Sequence, residues 1–409
     1  MASESHGYDT LGVVPIINAM GTATRVSGSL MPDVVIDAMR RASQAYVHLD
    51  ELQAAVGRRI AELTRNDAAY VCSSATAGLV LATAACITGD DPDAMASLPR
   101  PDRIPGLPTR VVIHRCQRFA YDFSVRSVGV EFVEVGPSRA AVDRGETTRV
   151  EEFRAALDDD VVAAVMYLPG ATNEAGALPL AQVIEIAHGS GVPVIVDAAS
   201  QIPPIANLWH FSGQGGPAPW ARAQKAIGIR PDAEDDVVGL GSDLVIFSGG
   251  KGLCGPASTG LILGRRDLID AIACQGNPRP LIGRPMKVGK EEMCGVMAAV
   301  EWSLGRDYVE LAKRYEDDVA TVIDATHGLP GVAATRTWPS ESGQPMARAL
   351  ITVGNGARLD RDTLLARLDT GRPRIEVWPY GADGFHVNPQ TLQPGEATII
   401  GDTLRRLLA

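Results

Sequence analysis

The sequence predicts an α/β protein built on a mostly parallel sheet with helices on both faces, followed by a smaller α+β C-terminal domain. Three observations carry that expectation. Short β-rich runs (AAYVC, RVVIH, VEFVEV, VVAAVMYL, VPVIVDAA, DLVIFS, TGLILG) alternate with helical stretches such as ATAGLVLATAACI and PLAQVIEIAHGSG. Strands covered on both faces read as continuous apolar runs, and the helices between them supply the crossovers that parallel pairing needs. After Gly289 the pattern becomes helical, and short strands (ARALITVG, RIEVWPY) then appear beside a helix in DRDTLLARL. The 409 residues, 45% of them apolar, suit more than one domain with sizeable cores.

These patterns divide the chain into an extended and helical N-terminal segment (1–49), a large sheet domain (50–288) and a small α+β domain (289–409). The N-terminal GVVPIINAMGTATRVSGSLMP is apolar and glycine-rich, and would lie over a neighbouring domain or subunit. Two Gly/Pro-rich stretches, at about 90–109 and 213–236, read as surface insertions, because long loops inside a compact domain are usually functional or mobile.

Charge and cysteine usage exclude several classes. With 38 Lys and Arg against 49 Asp and Glu, the formal charge is −11, which disfavours nucleic acid as a partner. The six cysteines form no CxxC pair, so neither a metal site nor a redox pair is expected, and they read as free thiols in a reducing cytoplasm. The start MASESHGYDT lacks the basic and apolar stretches of a signal peptide, and no run approaches the roughly 18 apolar residues of a membrane span. A soluble cytoplasmic protein is the expectation.

Candidate chemistry clusters after the strands. Lys251 stands in FSGGKGLCGP, directly after a buried strand, with glycines on either side that leave room for a planar ligand. By itself the GGKG turn fits a lysine capping an ordinary strand end equally well. Asp197 closes the strand VPVIVDAAS, where an acid at the carboxyl end of a parallel strand faces the ligand crevice of such sheets. The alternative is an N-cap for the next helix. The turn Ser73, Ser74, Ala75, Thr76 joins a strand to a helix whose first N–H groups form an anion site, although a plain Ser/Thr cap explains it too. Ser248, three residues before Lys251, would add a hydroxyl to the same anion, and Ser200 follows Asp197 in the same turn. In IHRCQRFAYD, either Gln117 or His114 would lie flat against a bound ring, or neither would touch a ligand.

Taken together, LGVVPIINAMGTATR, GSLMP, ELQAAVGRRIAELT, HRCQRFAYD, DAASQIPP, FSGGKGLCGP, GLILGRRDLI, GRPMKVGKEE and NPQTLQPGE resemble the selenocysteine synthase-like superfamily of fold-type I pyridoxal-phosphate (PLP) enzymes, nearest its D-glucosaminate-6-phosphate ammonia lyase-like branch. The resemblance spans nearly the whole chain. It implies an aspartate aminotransferase-like large domain with PLP as cofactor. Lys251 would hold PLP as a Schiff base, Asp197 would pair with the ring nitrogen, and Ser74, Ala75 and Thr76 would bind the phosphate. Gln117, Ser200 and Ser248 would complete the cofactor site, and Arg25 and Arg284 would meet substrate, with Lys287 in the same basic stretch as Arg284. The chain departs from the family pattern at Gln117, where relatives carry histidine, at Ala257, where they carry glutamine, and in the insert at 213–236, which suggests a different lid or subunit contact.

The expected reaction is that of a lyase on a small amino acid, in which a freed Lys251 removes the Cα proton and a β-substituent leaves. Racemisation and transamination share the first steps. Selenium transfer to seryl-tRNA fits less well, because those longer enzymes carry an extra tRNA-binding region and the charge here is −11. A scaffold without catalysis would not need Lys251, Asp197 and the phosphate turn together. The resemblance also implies a homodimer or larger homo-oligomer with its site at a subunit boundary.

Overall fold

A computed structural model describes residues 7–340 and 342–409. The first six residues of the start MASESHGYDT lie outside the described residues. In chain order the strands are β1 (Ile16–Ala19), β2 (Ala68–Cys72), β3 (Arg110–His114), β4 (Glu131–Val135), β5 (Val162–Tyr167), β6 (Val194–Asp197) and β7 (Gly216–Pro217). They continue with β8 (Asp236–Val237), β9 (Leu244–Ser248), β10 (Gly260–Gly264), β11 (Val332–Thr337), β12 (Arg348–Val353), β13 (Arg374–Tyr380) and β14 (Gly384–Val387).

The chain forms two compact units. The larger comprises Leu30–Tyr308 and 342–344, the smaller 7–29, Val309–Ser340 and Pro345–Ala409. In the larger unit a seven-stranded sheet has the order β2-β10-β9-β6-β5-β3-β4, in which β10 alone runs antiparallel to its neighbours. This is the mostly parallel α/β sheet that the sequence predicts. The apolar helix Ala75–Thr88 is buried almost all round, as its sequence demands, and shares a core with Ile113, Met166, Ile195, Ile246 and Ile262. The sheet therefore delivers the ends of β2, β9, β6, β5, β3 and β4 to one edge.

The smaller unit holds a second sheet of order β1-β13-β14-β12-β11, with helices Arg361–Thr370 and Glu396–Leu408 contributing Leu364, Leu368, Ile400 and Leu404 to its core. The division departs from the segments 1–49, 50–288 and 289–409 for a physical reason. Strand β1 pairs in parallel with β13, which takes the start of the chain into the smaller sheet. Helix Asp33–Ala42 instead packs Val35 and Ala38 against Ala298 and Ala299 of helix Lys290–Leu304, and that apolar contact keeps both helices in the larger unit.

The insert at 213–236 also differs from expectation. It carries its own helix, Pro219–Ala226, which buries Trp220, and the short β7/β8 pair. Gln214 N–H donates to Arg65 O and Ser212 Oγ donates to Asn66 Oδ1, just ahead of β2. Leu240 N–H donates to His210 O, and Ser242 N–H donates to Phe211 O just before β9. The insert thus sits at the amino edge of the sheet, opposite the edge that carries Lys251, and is no lid over it.

The amino edge is fastened by one buried acid. Asp243 accepts hydrogen bonds from Val194 N–H (2.7 Å) and Arg265 Nη1 (2.7 Å), and pairs with His188 Nε2 (2.8 Å), tying together the starts of β6 and β9 and the end of β10. Replacing it with alanine strands the Val194 N–H and removes a charge-assisted clamp. The Asp243→Ala variant is expected to lose roughly 2 to 4 kcal/mol of unfolding free energy in urea titration, and a loss below about 0.5 kcal/mol would contradict this account.

Candidate active site

Strand pairing brings the candidate residues to one edge. Asp197 is the last residue of β6 and stands in register with Ile246 of β9; β9 ends at Ser248, and Lys251 follows in the next turn. Cys72 at the end of β2 and Ser248 at the end of β9 both pair with Gly260, so the turn Ser73–Thr76 opens on that same edge. Ser73, Ser74, Ala75, Thr76, Asp197, Ser200, Ser248 and Lys251 are all half-buried, each partly open to solvent at the rim of an otherwise buried sheet.

Lys251 and Asp197 lie within electrostatic reach of each other. Burial pushes the Lys251 amine down from the ordinary lysine value, and the Asp197 carboxylate opposes that shift. Burial pushes Asp197 up from the usual carboxylate range, against the Ala199 N–H that it accepts (3.1 Å) and the nearby Lys251. Desolvation leads in both, so the amine is biased towards its neutral, nucleophilic form. Asp197 caps the turn at Ala199, and no helix starts before Asn207, so the helix-cap alternative does not hold.

The glycines around Lys251 act differently from the sequence expectation. A Cβ on Gly249 would meet Thr259 Oγ1 at 2.0 Å, one on Gly250 the Ala257 Cα at 2.4 Å, and one on Gly252 the Ile202 carbonyl oxygen at 2.1 Å. They serve close packing of the Lys251 turn onto its neighbours. In the turn Ser73–Thr76 the N-cap is observed directly. Ser74 Oγ accepts Ala77 N–H (3.0 Å) as a true N-cap, while the first N–H groups of the 14-residue helix Ala75–Thr88 have no partner within the helix.

Other candidates are placed less favourably. The Gln117 carboxamide is taken up by Leu168, donating to its O and accepting from its N–H, both at 3.1 Å. His114 points into the core, stacked on Phe153 at 5.4 Å with Nε2 accepting Leu178 N–H, which excludes it as a surface for a bound ring. Arg284 and Lys287 are exposed beyond helix Arg266–Gln275, and Arg284 follows Gly283, which packs on Leu81. Arg25 lies in the smaller unit, largely exposed, 3.9 Å from Glu376. Sequence reasoning missed Gln201, which is buried and whose Nε2 donates to Pro169 O (3.1 Å) and Ser342 O (2.8 Å); its local signal was a glutamine four residues after Asp197 in DAASQIPP.

An amine biased towards neutrality, a carboxylate within reach of it, a hydroxyl and a helix N-terminus gathered on one sheet edge fit PLP: imine-forming amine, partner for the ring nitrogen and anion site. This arrangement defines a PLP-dependent α/β enzyme. No protein-family model matches the chain. It is 30% identical to 5'-C-glycyluridine monooxygenase-decarboxylase of a Streptomyces species over 404 residues, 97% of this chain and 91% of that protein. It is 29% identical to D-glucosaminate-6-phosphate ammonia lyase of Salmonella typhimurium, covering 98% and 97% of the two chains, and a solved structure of a lyase of that name superposes with a TM-score of 0.76 at 26% identity, covering 100% of this chain and 98% of that one. L-seryl-tRNA(Sec) selenium transferase of Rhizobium meliloti is 28% identical over 73% of this chain and 58% of that protein. The chain belongs to the fold-type I PLP-dependent enzymes, in the family of these selenocysteine synthase-like proteins.

His114 generates a pH-dependent outcome. Burial pushes its imidazole down to about 4 from the ordinary 6.5. Between those values the unfolded chain binds the proton and the folded one does not, so this contribution is full above pH 6.5 and is lost as pH falls towards 4. The His114→Gln variant is expected to show a flatter fall of Tm between pH 7 and 4, the difference amounting to roughly 3 kcal/mol at most. Parallel curves for the two proteins would contradict the assignment.

Proposed function

We propose that this enzyme is a lyase that removes the Cα proton of a small amino acid and expels a β-substituent. The observation that carries the reading is the half-buried Lys251 on the same sheet edge as Asp197 and the helix start at Ser74. Bound at this edge, PLP supplies an electron sink for the pair of electrons left at Cα. Lys251 would hold the cofactor aldehyde, Asp197 the ring nitrogen, and the N–H groups of Ala75 and Thr76 with the Ser74 and Ser248 hydroxyls the phosphate; Ser200 would stand at the same edge. With the substrate amine in its place, Lys251 Nζ would be free to take the Cα proton, and the β-substituent would leave with its bonding electrons.

The name of the glycyluridine relative favours a second reading, in which the carboxylate is lost and oxygen is consumed. Measuring ammonia, carbon dioxide and oxygen across a panel of amino acids separates the two. Release of ammonia without oxygen uptake is expected.

Two outcomes test the site. Borohydride reduction of the PLP-loaded enzyme should fix the cofactor on Lys251, and a peptide map placing it on Lys225, Lys287 or Lys290 would overturn the assignment. The Asp197→Asn variant should keep PLP yet turn over slower by on the order of 10²-fold, because the ring nitrogen loses its anionic partner; near-normal turnover would reduce Asp197 to a turn cap.

We also infer a cytoplasmic homodimer or larger homo-oligomer. The free cysteines suit a reducing compartment, and no described helix is long and apolar enough to cross a membrane. Apolar side chains stand in solvent in each unit, among them Leu11 (74% exposed) and Val13 in the smaller, and Leu30 (69%), Val34 and Tyr46 in the larger. The exposed Arg284 would then reach substrate in a neighbouring copy, with Arg25 a second candidate. Mixing Lys251→Ala with Arg284→Ala subunits should restore about a quarter of the activity through hybrid sites in randomly paired dimers. A fully active monomer in light scattering would overturn this.

A further inference from the structure

We propose that Gln344 is a positioning residue for the candidate site, holding the loop after Asp197 against the turn that carries Lys251. Residues 342–344 belong to the larger unit although they are remote in sequence from the rest of it. Gln344, 1% exposed, donates from Nε2 to the Ile202 carbonyl at 2.7 Å. That same carbonyl oxygen faces Gly252, so closely that a Cβ there would stand 2.1 Å from it. The carbonyl is therefore trapped between an amide from residue 344 and the residue next to Lys251.

The short segment is itself fixed. Gln201 Nε2 bridges Ser342 O (2.8 Å) and Pro169 O (3.1 Å), the latter beyond the end of β5. Cβ atoms built on Gly343 and Gly170 would fall 2.3 Å from Ala171 N and 2.5 Å from Ser342 O, so the backbones of the two loops lie against each other. Asn207 Nδ2 holds Gln201 O at 2.6 Å, and Gln201 N–H closes the turn onto Ala198 O at 3.0 Å, one residue from Asp197. The 198–202 loop thus has Asp197 at one end and the Gly252 contact at the other, with Gln344 pinning the second end. Loss of this hydrogen bond would loosen the 202 end of the loop against the Lys251 turn, and the separation of Lys251 from Asp197 would change with it.

This rests on Lys251 as the cofactor lysine, so the peptide map of the reduced, unaltered enzyme comes first. A label elsewhere overturns the proposed function and the positioning role together. With the label on Lys251, the Gln344→Met variant, which keeps side-chain length but lacks the donor, isolates Gln344. Three readouts follow: thermal unfolding of the apoenzyme, the rate at which PLP is trapped on Lys251 by borohydride, and the pH midpoint of the bound cofactor's absorbance. Trapping about tenfold slower and a midpoint displaced by on the order of half a unit are expected, in line with one buried hydrogen bond. A trapping rate and midpoint equal to those of the unaltered enzyme, with or without a lower Tm, would overturn the proposal. Should Gln344→Met fail to fold, Gln344→Asn, which withdraws the amide by one methylene, is read by the same measurements.

Discussion

A lysine amine and a carboxylate within electrostatic reach of each other at a half-buried sheet edge each lose hydration, and everything at the candidate site depends on how that loss is arranged. At Lys251 it biases the amine towards neutrality; at Asp197 it opposes the charge that the Ala199 N–H and Lys251 restore. Both groups are half-buried at the carboxyl edge of the sheet, so desolvation works against each charge there.

The two edges of the larger sheet divide the work. At the amino edge Asp243 ties three strands together, and the insert with its buried Trp220 covers adjoining surface. At the carboxyl edge the connections are loops stitched to one another by side-chain amides, Gln117 to Leu168, Gln201 to Pro169 and Ser342, and Gln344 to Ile202. Neutral amides suit this place. They satisfy buried backbone groups without adding charge beside a lysine and an aspartate whose balance depends on few charges.

Much of the fold was legible in the sequence because apolar runs and helical periods are local. AAYVC, RVVIH, VVAAVMYL, DLVIFS and TGLILG became β2, β3, β5, β9 and β10, and ATAGLVLATAACI became the buried helix behind the phosphate turn. Domain limits were less legible. Whether helix Asp33–Ala42 belongs with the large sheet depends on Ala298 and Ala299, more than 250 residues away, and nothing in its own sequence names that partner.

By itself, then, the sequence determined the strand-ending position of Asp197, the place of Lys251 in the turn after β9 and the helix start at Ser74, because each is written in a contiguous run of residue types, and, from motifs along nearly the whole chain, the family to which it belongs. Only the tertiary structure decided that the glycines beside Lys251 are used up in backbone packing, that His114 faces the core, that the insert lies at the far edge from Lys251, and that residues 342–344 support the loop after Asp197. Each of those facts is a contact between segments distant in sequence, set by the order in which the strands assemble, and strand order leaves no mark on any single stretch of chain.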